Sequence, residues 1–311
     1  MKPLFLVLPF VLIIASCSST PEQPDEIRVT RNRAASFAGY GNEAFDRGDY
    51  EQARAFFEVA LTLNTSVDEL EGVADMHNSV GRTWQAQGDF EAAAEQYAIA
   101  REIAEANGST RVEALAVNNQ GELHLQQGDS ERAQALFETS LALLEDIEAE
   151  PERAVVLHNL GSAFASAGRL DEARRLFEDA ASRNRELNRR RELAANVFML
   201  SSVESRSGNY ERALVFANEA LDLDRAMENP RGIASDLYAL GMISFRMERY
   251  EDADDYLSRS RAVYESIGSV SGMLRSLEAL ENVALAAENT DAAEEYALQR
   301  ETLLSESGGN R

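Results

Sequence analysis

Cysteine, lysine and histidine are almost missing from this sequence. Cys17 is the single cysteine among 311 residues, Lys2 is the single lysine, and only three histidines occur, at positions 77, 124 and 158. One cysteine cannot form an internal disulfide. The three histidines stand far apart and show no metal-ligand spacing. The recurrent glycines stand singly, so no phosphate-binding loop is formed. These absences predict a chain with no catalytic residue, no cofactor and no metal.

Long apolar runs are confined to residues 3–15. This run of 13 residues follows Lys2 and has the length of a secretory signal, well short of the roughly 20 residues that cross a bilayer. The adjoining sequence Ile14-Ala15-Ser16-Cys17 resembles the lipobox of bacterial lipoproteins. The resemblance implies cleavage after residue 16, lipidation of Cys17 and, because Ser18 is not an aspartate, attachment to the outer membrane. An ordinary signal peptide with an incidental cysteine is the alternative.

Basic residues are outnumbered almost two to one. The chain has 54 acidic and 30 basic residues and a net charge of −24, which becomes −25 if residues 1–16 are removed. A nucleic-acid partner is excluded by this charge, because it would be repelled. Either a basic segment of a partner protein or a saline habitat accounts for such a surface.

What the sequence does contain is a repeat of 40 residues. The segments GDYEQA, GDFEAA, GDSERA, GRLDEA, GNYERA, ERYEDA and ENTDAA begin at positions 48, 88, 128, 168, 208, 248 and 288. Each unit predicts two antiparallel helices joined by a turn. In the first unit Phe37, Tyr40 and Gly41 lie on one helical stripe, where glycine permits close helix packing. Gly48 is predicted to end that helix in a left-handed conformation, and Asp49 to cap the next.

This pattern resembles the tetratricopeptide repeat, in its long variant found in kinesin light chains. The resemblance implies an all-α fold, a right-handed α-solenoid of seven antiparallel helix pairs with units starting near 34, 74, 114, 154, 194, 234 and 274. The predicted organisation is a signal peptide at 1–16, a lipidated flexible tether at 17–33, the superhelix at 34–306 and a disordered tail at 307–311. The last unit departs most from the pattern and is expected to form a polar C-terminal cap.

In this family the first helix of each unit lines a concave groove that holds peptides or partner helices. Carried over residue by residue, the resemblance predicts a groove formed by Asp75, Asn78, Arg82, Gln85, Asn118, Asn119, Glu122, His158, Asn159, Ser162, Phe198, Met199, Arg206, Tyr238, Met242, Phe245 and Arg246. The asparagines either bond a ligand backbone or bond their own helices. The later residues form either an apolar interface patch or part of the core.

The sequence therefore predicts a non-catalytic adaptor, anchored to the cell envelope through Cys17, that docks a protein or peptide segment in its groove. Two other functions are open: a structural or self-associating scaffold, and a recruiter or regulator of cell-wall or outer-membrane assembly enzymes. A small-molecule substrate is not expected.

Overall fold

Helices account for nearly all of the described chain. A computed structural model describes residues 25–308 and contains no strand in that range. The fourteen helices are α1 (Asp25–Asp46), α2 (Tyr50–Ser66), α3 (Leu70–Gln87), α4 (Phe90–Asn107), α5 (Thr110–Gln126), α6 (Ser130–Leu143), α7 (Glu150–Ser166), α8 (Leu170–Glu186), α9 (Arg190–Arg206), α10 (Tyr210–Ala226), α11 (Pro230–Arg246), α12 (Tyr250–Ser266), α13 (Val270–Ala286) and α14 (Thr290–Gly308). They form seven consecutive pairs, as the 40-residue repeat predicts.

Each 40-residue unit consists of two halves of equal length. A residue with left-handed backbone recurs every 20 residues from Gly48 (φ 84°) to Glu288 (φ 58°), and position 148 is the one interruption between them. Most helices are 17 residues long, so three residues are left for each turn. The predicted left-handed conformation of Gly48 is confirmed.

The repeated glycines of the first helices receive a ring or branched side chain from the second helix of the same pair. A Cβ on Gly81 would lie 2.5 Å from the ring of Tyr97, and one on Gly121 would lie 2.6 Å from Phe137. Tyr97 and Phe137 are fully buried. The predicted role of glycine in close helix packing is therefore confirmed, and the partner is the residue 16 positions later, which is aromatic in four units and Leu257 for Gly241.

Three boundaries differ from the prediction. Residues 25–33, placed in the flexible tether, are the first turns of α1, because half-buried Ile27 and buried Ala34 continue its inward-facing stripe in the N-terminal direction. The first helices of later units begin four residues before the predicted unit starts, as in α5 at Thr110. At the other end, α14 continues to Gly308. The predicted signal peptide, Cys17 and the rest of the tether lie outside the described residues.

Capping by the turn acids occurs at some repeats only. Asp89 accepts a hydrogen bond from the Ala92 amide, and Asp129 accepts one from the Arg132 amide (3.0 and 3.1 Å). The prediction for Asp49 is wrong, because its carboxylate contacts Arg47 Nε at 3.3 Å and makes no cap bond.

The odd-numbered helices form the inner layer of the stack. From α3 to α13, each odd-numbered helix contacts the next odd-numbered helix as well as its sequence neighbours. Contacts of this kind arise where a curved stack is most compressed. Side chains that project from the odd-numbered helices, away from the even-numbered ones, therefore lie on one common surface of the stack.

Candidate docking site on the inner helix layer

Amide side chains of α3, α5 and α7 bond to each other across the repeats. Asn119 Nδ2 donates to Asn78 Oδ1 (3.4 Å), and Asn159 Nδ2 donates to Asn118 Oδ1 (2.9 Å). Glu122 Oε1 accepts from Asn118 (3.1 Å) and from Asn159 (2.5 Å). We call these five residues the amide network. It joins three consecutive repeats.

The amide network is mostly interior. Asn78, Asn118 and Asn119 are 4%, 1% and 8% exposed. The prediction that Asn78, Asn118 and Asn119 line an open groove is therefore wrong, because residues 40 or 41 positions apart meet between adjacent first helices. Gln85 is likewise buried and accepts a hydrogen bond from Tyr97 Oη (2.6 Å).

Three other predicted residues have defined places near this network. Arg82 is exposed and lies over the ring of Phe45 at 4.7 Å. Asp75 is half-buried, and burial raises the pKa of its carboxyl. Ser162 donates to the His158 carbonyl within α7 (3.0 Å).

The second half of the stack contains an open cavity of about 790 Å³. It lies between α7, α9, α11 and α13, with the end of α10 in its wall. Seven residues of the predicted groove line it: His158, Phe198, Met199, Arg206, Tyr238, Met242 and Arg246. Phe245 is not among the lining residues and packs with its ring centroid 6.1 Å from that of Tyr250. Whether these residues bind a partner stays a prediction.

Apolar side chains form one part of the cavity wall. Phe198 and Met199 of α9 and Tyr238 and Met242 of α11 are all half-buried, so each keeps a face open. Aromatic and thioether groups in such a setting suit the side chains of a docked segment.

Guanidinium groups form another part of the wall, so we call the space the arginine cavity. Arg246 Nη1 donates to Ser205 Oγ (2.6 Å). Arg275 Nη2 donates to Tyr264 Oη (2.6 Å), and its guanidinium lies 4.4 Å from the ring centroid of Tyr238. Arg191, also in the wall, contacts Asp46 Oδ2 of α1 at 3.4 Å.

A pair of carboxyl groups completes the wall. Asp236 is 1% exposed and Asp224 is 7% exposed. Burial, and then the charge of Asp224, raise the pKa of Asp236 to about 8. Asn229 Nδ2 donates to Asp224 Oδ1 (3.0 Å). A Cβ at Gly232 would collide with the Asp224 carboxylate, so glycine is needed for this packing.

His158 joins the cavity to the repeat beside it. Its Nδ1 lies 2.9 Å from Asn196 Oδ1, and its ring is 5.4 Å from that of Phe177. Burial is the main influence on its imidazole and lowers its pKa. His158 is therefore an uncharged group of the wall near neutral pH.

Sequence reasoning missed Ser205, Asp224, Asp236 and Arg275. Asp236 did leave a signal in the repeat register. The residues at the same place in other units are Met76, Ala116, Val156, Asn196 and Ser276. A charged residue at a packing position is unusual and marks a site that differs from its repeats.

Among residues 25–308, both a metal-binding cluster and a membrane-spanning helix are absent. No group of three or more histidine, cysteine, aspartate or glutamate side chains there could hold a metal ion. No helix in that range combines the length and apolarity required to cross a bilayer.

Comparison with known proteins identifies the repeat. A family model described as tetratricopeptide repeat matches residues 72–146 and 152–226. A comparison with curated proteins gives no match.

Solved structures extend the likeness over most of the chain. The Rap conjugation gene regulator of plasmid pLS20, in complex with the Phr* peptide, is 16% identical, with a TM-score of 0.66 over 96% of this chain and 82% of that protein. A kinesin light chain-like repeat protein from Podospora anserina is 17% identical, with a TM-score of 0.54 over 62% of this chain and 95% of that one. The type IV pilus biogenesis factor PilW is 16% identical, with a TM-score of 0.59 over 73% and 91% of the two chains. At these identities the likeness shows the fold.

Proposed function

Since the chain is a tetratricopeptide-repeat solenoid, we propose that it is a non-catalytic adaptor that docks a peptide or helical segment of a partner protein in the arginine cavity. The observation that carries this proposal is the cavity itself. It combines open apolar faces of Phe198, Met199, Tyr238 and Met242 with guanidinium groups on one surface. Such residues dominate the binding energy of protein interfaces.

Binding of a peptide by a protein of this fold supports the proposal. The pLS20 regulator is described as a complex with the Phr* peptide. A volume of about 790 Å³ accommodates a few side chains of a segment rather than a folded domain. The remainder of such a segment would lie along the inner surface.

The test is crosslinking in intact cells, followed by purification of the tagged protein and mass spectrometry. We expect the native chain to capture one partner that the double variant Tyr238→Ala/Met242→Ala loses. Val215→Ala is the matched control, because Val215 is 67% exposed and lies outside the arginine cavity. Equal capture by the native chain and the double variant would show that the cavity is not the docking site. Capture of the same chain alone would favour the self-associating scaffold.

We further propose that Cys17 is lipidated and holds the adaptor at the outer membrane of a cell envelope. Support comes from the sequence Ile14-Ala15-Ser16-Cys17 after an apolar run of signal length. Several acyl chains on one residue give stable anchoring, whereas one chain does not.

Labelling with a clickable fatty acid tests the anchor. We expect label and membrane fractionation in the native chain and neither in Cys17→Ser. Ser18→Asp should keep the label and move the protein to the inner membrane. Label that persists in Cys17→Ser would refute the assignment.

A further inference from the structure

The arginine cavity is lined by four arginines, and most of them have no carboxylate partner among residues 25–308. The chain has 54 acidic residues and 30 basic ones, so most arginines can be expected to have a carboxylate nearby. Arg111, for example, bridges Glu71 and Glu152 of two other repeats (3.2 and 3.3 Å). By contrast, Arg206, Arg246 and Arg275 make no ion pair with a carboxylate of residues 25–308.

Neutral groups hold two of these guanidiniums in place. Arg246 is positioned by Ser205, and Arg275 by the hydroxyl of Tyr264 and the ring of Tyr238. A hydroxyl fixes a guanidinium without cancelling its charge. The remaining N–H groups are thus available to an acceptor, and little side-chain freedom is lost when one binds.

The two acidic residues of the wall offset only part of this charge. Asp236 has its pKa raised to about 8, so its carboxyl is mostly neutral at pH 7. Asp224 lies against Asp236 and accepts from Asn229. The wall thus presents Arg191, Arg206, Arg246 and Arg275 against one carboxylate, although Arg191 shares its charge with Asp46.

We propose that the arginine cavity recognises an acidic segment, in which a carboxylate meets Arg206, Arg246 and Arg275 and a neighbouring apolar side chain packs on Tyr238 and Met242. This inference rests on the proposed docking function and supplies the chemistry of the partner. It replaces the basic partner that the net charge of −24 suggests. Charges within a few ångströms decide recognition, because salt screens charges beyond about 8 Å at physiological ionic strength.

Three pooled libraries of 12-residue peptides with amidated C-termini test this inference. All share random apolar positions, and two fixed central positions are both glutamate, both glutamine or both lysine. A fourth pool has the glutamine positions and a free C-terminal carboxylate. The full-length chain is immobilised, and the retained fraction of each pool is measured in 0.15 M salt.

We expect the glutamate pool to be retained at least about tenfold better than the glutamine pool, because a charge-assisted hydrogen bond contributes roughly 1.5–3 kcal/mol. The triple variant Arg206→Gln/Arg246→Gln/Arg275→Gln should lower glutamate retention to the glutamine value. These arginines are exposed, so the variant is expected to keep its helical circular dichroism. Preferential retention of the fourth pool would assign the carboxylate to a chain terminus and would support the same chemistry.

Failure of the inference and failure of the docking function give different results. Retention of the glutamine or lysine pool as strong as that of the glutamate pool, lost in Tyr238→Ala/Met242→Ala, would leave docking in place and overturn the acidic preference. Glutamate retention that the triple arginine variant does not lower would overturn it as well. If native chain and Tyr238→Ala/Met242→Ala retain every pool equally, docking in the cavity is refuted, and the acidic preference with it.

Discussion

The amide network and the arginine cavity lie on the same inner helix layer and use their polar groups in opposite ways. In α3, α5 and α7 the amide side chains hydrogen-bond within the network, and Asn118 is only 1% exposed. In α9, α11 and α13 the guanidiniums of Arg246 and Arg275 contact neutral groups and stay exposed. The first region joins repeats, whereas the second has polar groups available for a partner. A residue's position within the repeat does not determine whether its polar group bonds inside the stack or stays open to a partner. The side chains of the adjacent repeats determine it.

The two regions should differ most in how their stability depends on pH, and the substitution with the largest expected effect is at Asp236. Its carboxyl has a pKa of 3.8 outside the fold and about 8 within it, so the folded chain binds the extra proton. Stability from this group is fully present below pH 3.8 and is lost as the pH rises towards 8. We expect Asp236→Asn to remove this loss. The free energy of unfolding of the variant should exceed that of the native chain by up to several kcal/mol at pH 9, and the difference should vanish near pH 4.

Urea unfolding followed by circular dichroism at pH 4, 6, 8 and 9 measures this difference. Asp222→Asn is the control, since Asp222 is exposed on the outer side of α10. If the free energies of unfolding of the native chain and Asp236→Asn differed by the same amount at every pH, Asp236 would not hold an extra proton in the folded chain.

Removal of one network amide tests whether the first region is structural. Asn118→Ala deletes a buried group bonded to Glu122 and Asn159, and these two half-buried side chains then keep only the hydrogen bond that joins them to each other. We expect a loss of about 2–3 kcal/mol in the free energy of unfolding. Arg246→Gln in the cavity should cost under about 0.5 kcal/mol, because its side chain is exposed.

Both variants are measured by urea unfolding under identical conditions, with peptide retention as the second readout. An Asn118→Ala chain that loses peptide binding but keeps its stability would reverse the roles assigned to the two regions.

The smallest effect concerns the turns of the two halves. Glu248 of the second half has φ 59°, a conformation that costs a side-chain-bearing residue energy, whereas Gly128 occupies the matching turn of the first half at φ 85°. Glu248→Gly should stabilise the chain by about 0.5–1 kcal/mol after the entropy of the unfolded glycine is subtracted. Gly128→Glu should destabilise it by a similar amount. Melting temperatures that shift in the same direction for both variants would show that something other than the backbone decides these turns.

The sequence alone predicts the helix pairs well, because the 40-residue repeat is regular, and in four of the seven units a glycine meets the aromatic residue 16 positions later. Gly81 with Tyr97 and Gly121 with Phe137 are examples. It predicts the site in part. Tyr238, Met242 and Arg246 could be placed on one surface from their spacing, since position within a helix fixes direction.

The rest depends on contacts between repeats, which no single repeat contains. Asn118 and Asn159 have the same spacing as the cavity residues, yet they bond each other because both are amides. Asp224 and Asp236 come together only where α10 meets α11. Helix starts were misplaced for another reason: the first turn of each later first helix precedes the first recognisable repeat position, as residues 110–113 do in α5.

The interruption at position 148 has a mechanical consequence. Here α6 ends at Leu143, and six residues rather than three lead to α7. The Arg153 guanidinium donates to the carbonyls of Leu144 and Glu145, so this one side chain holds the C-terminal end of α6 against α7. Tension between the N-terminal end and the cavity passes through this joint. Each repeat packs only against its neighbours, so a pulling force is carried from one repeat to the next along the stack. We expect residues 144–149 to extend first, before the walls of the cavity separate.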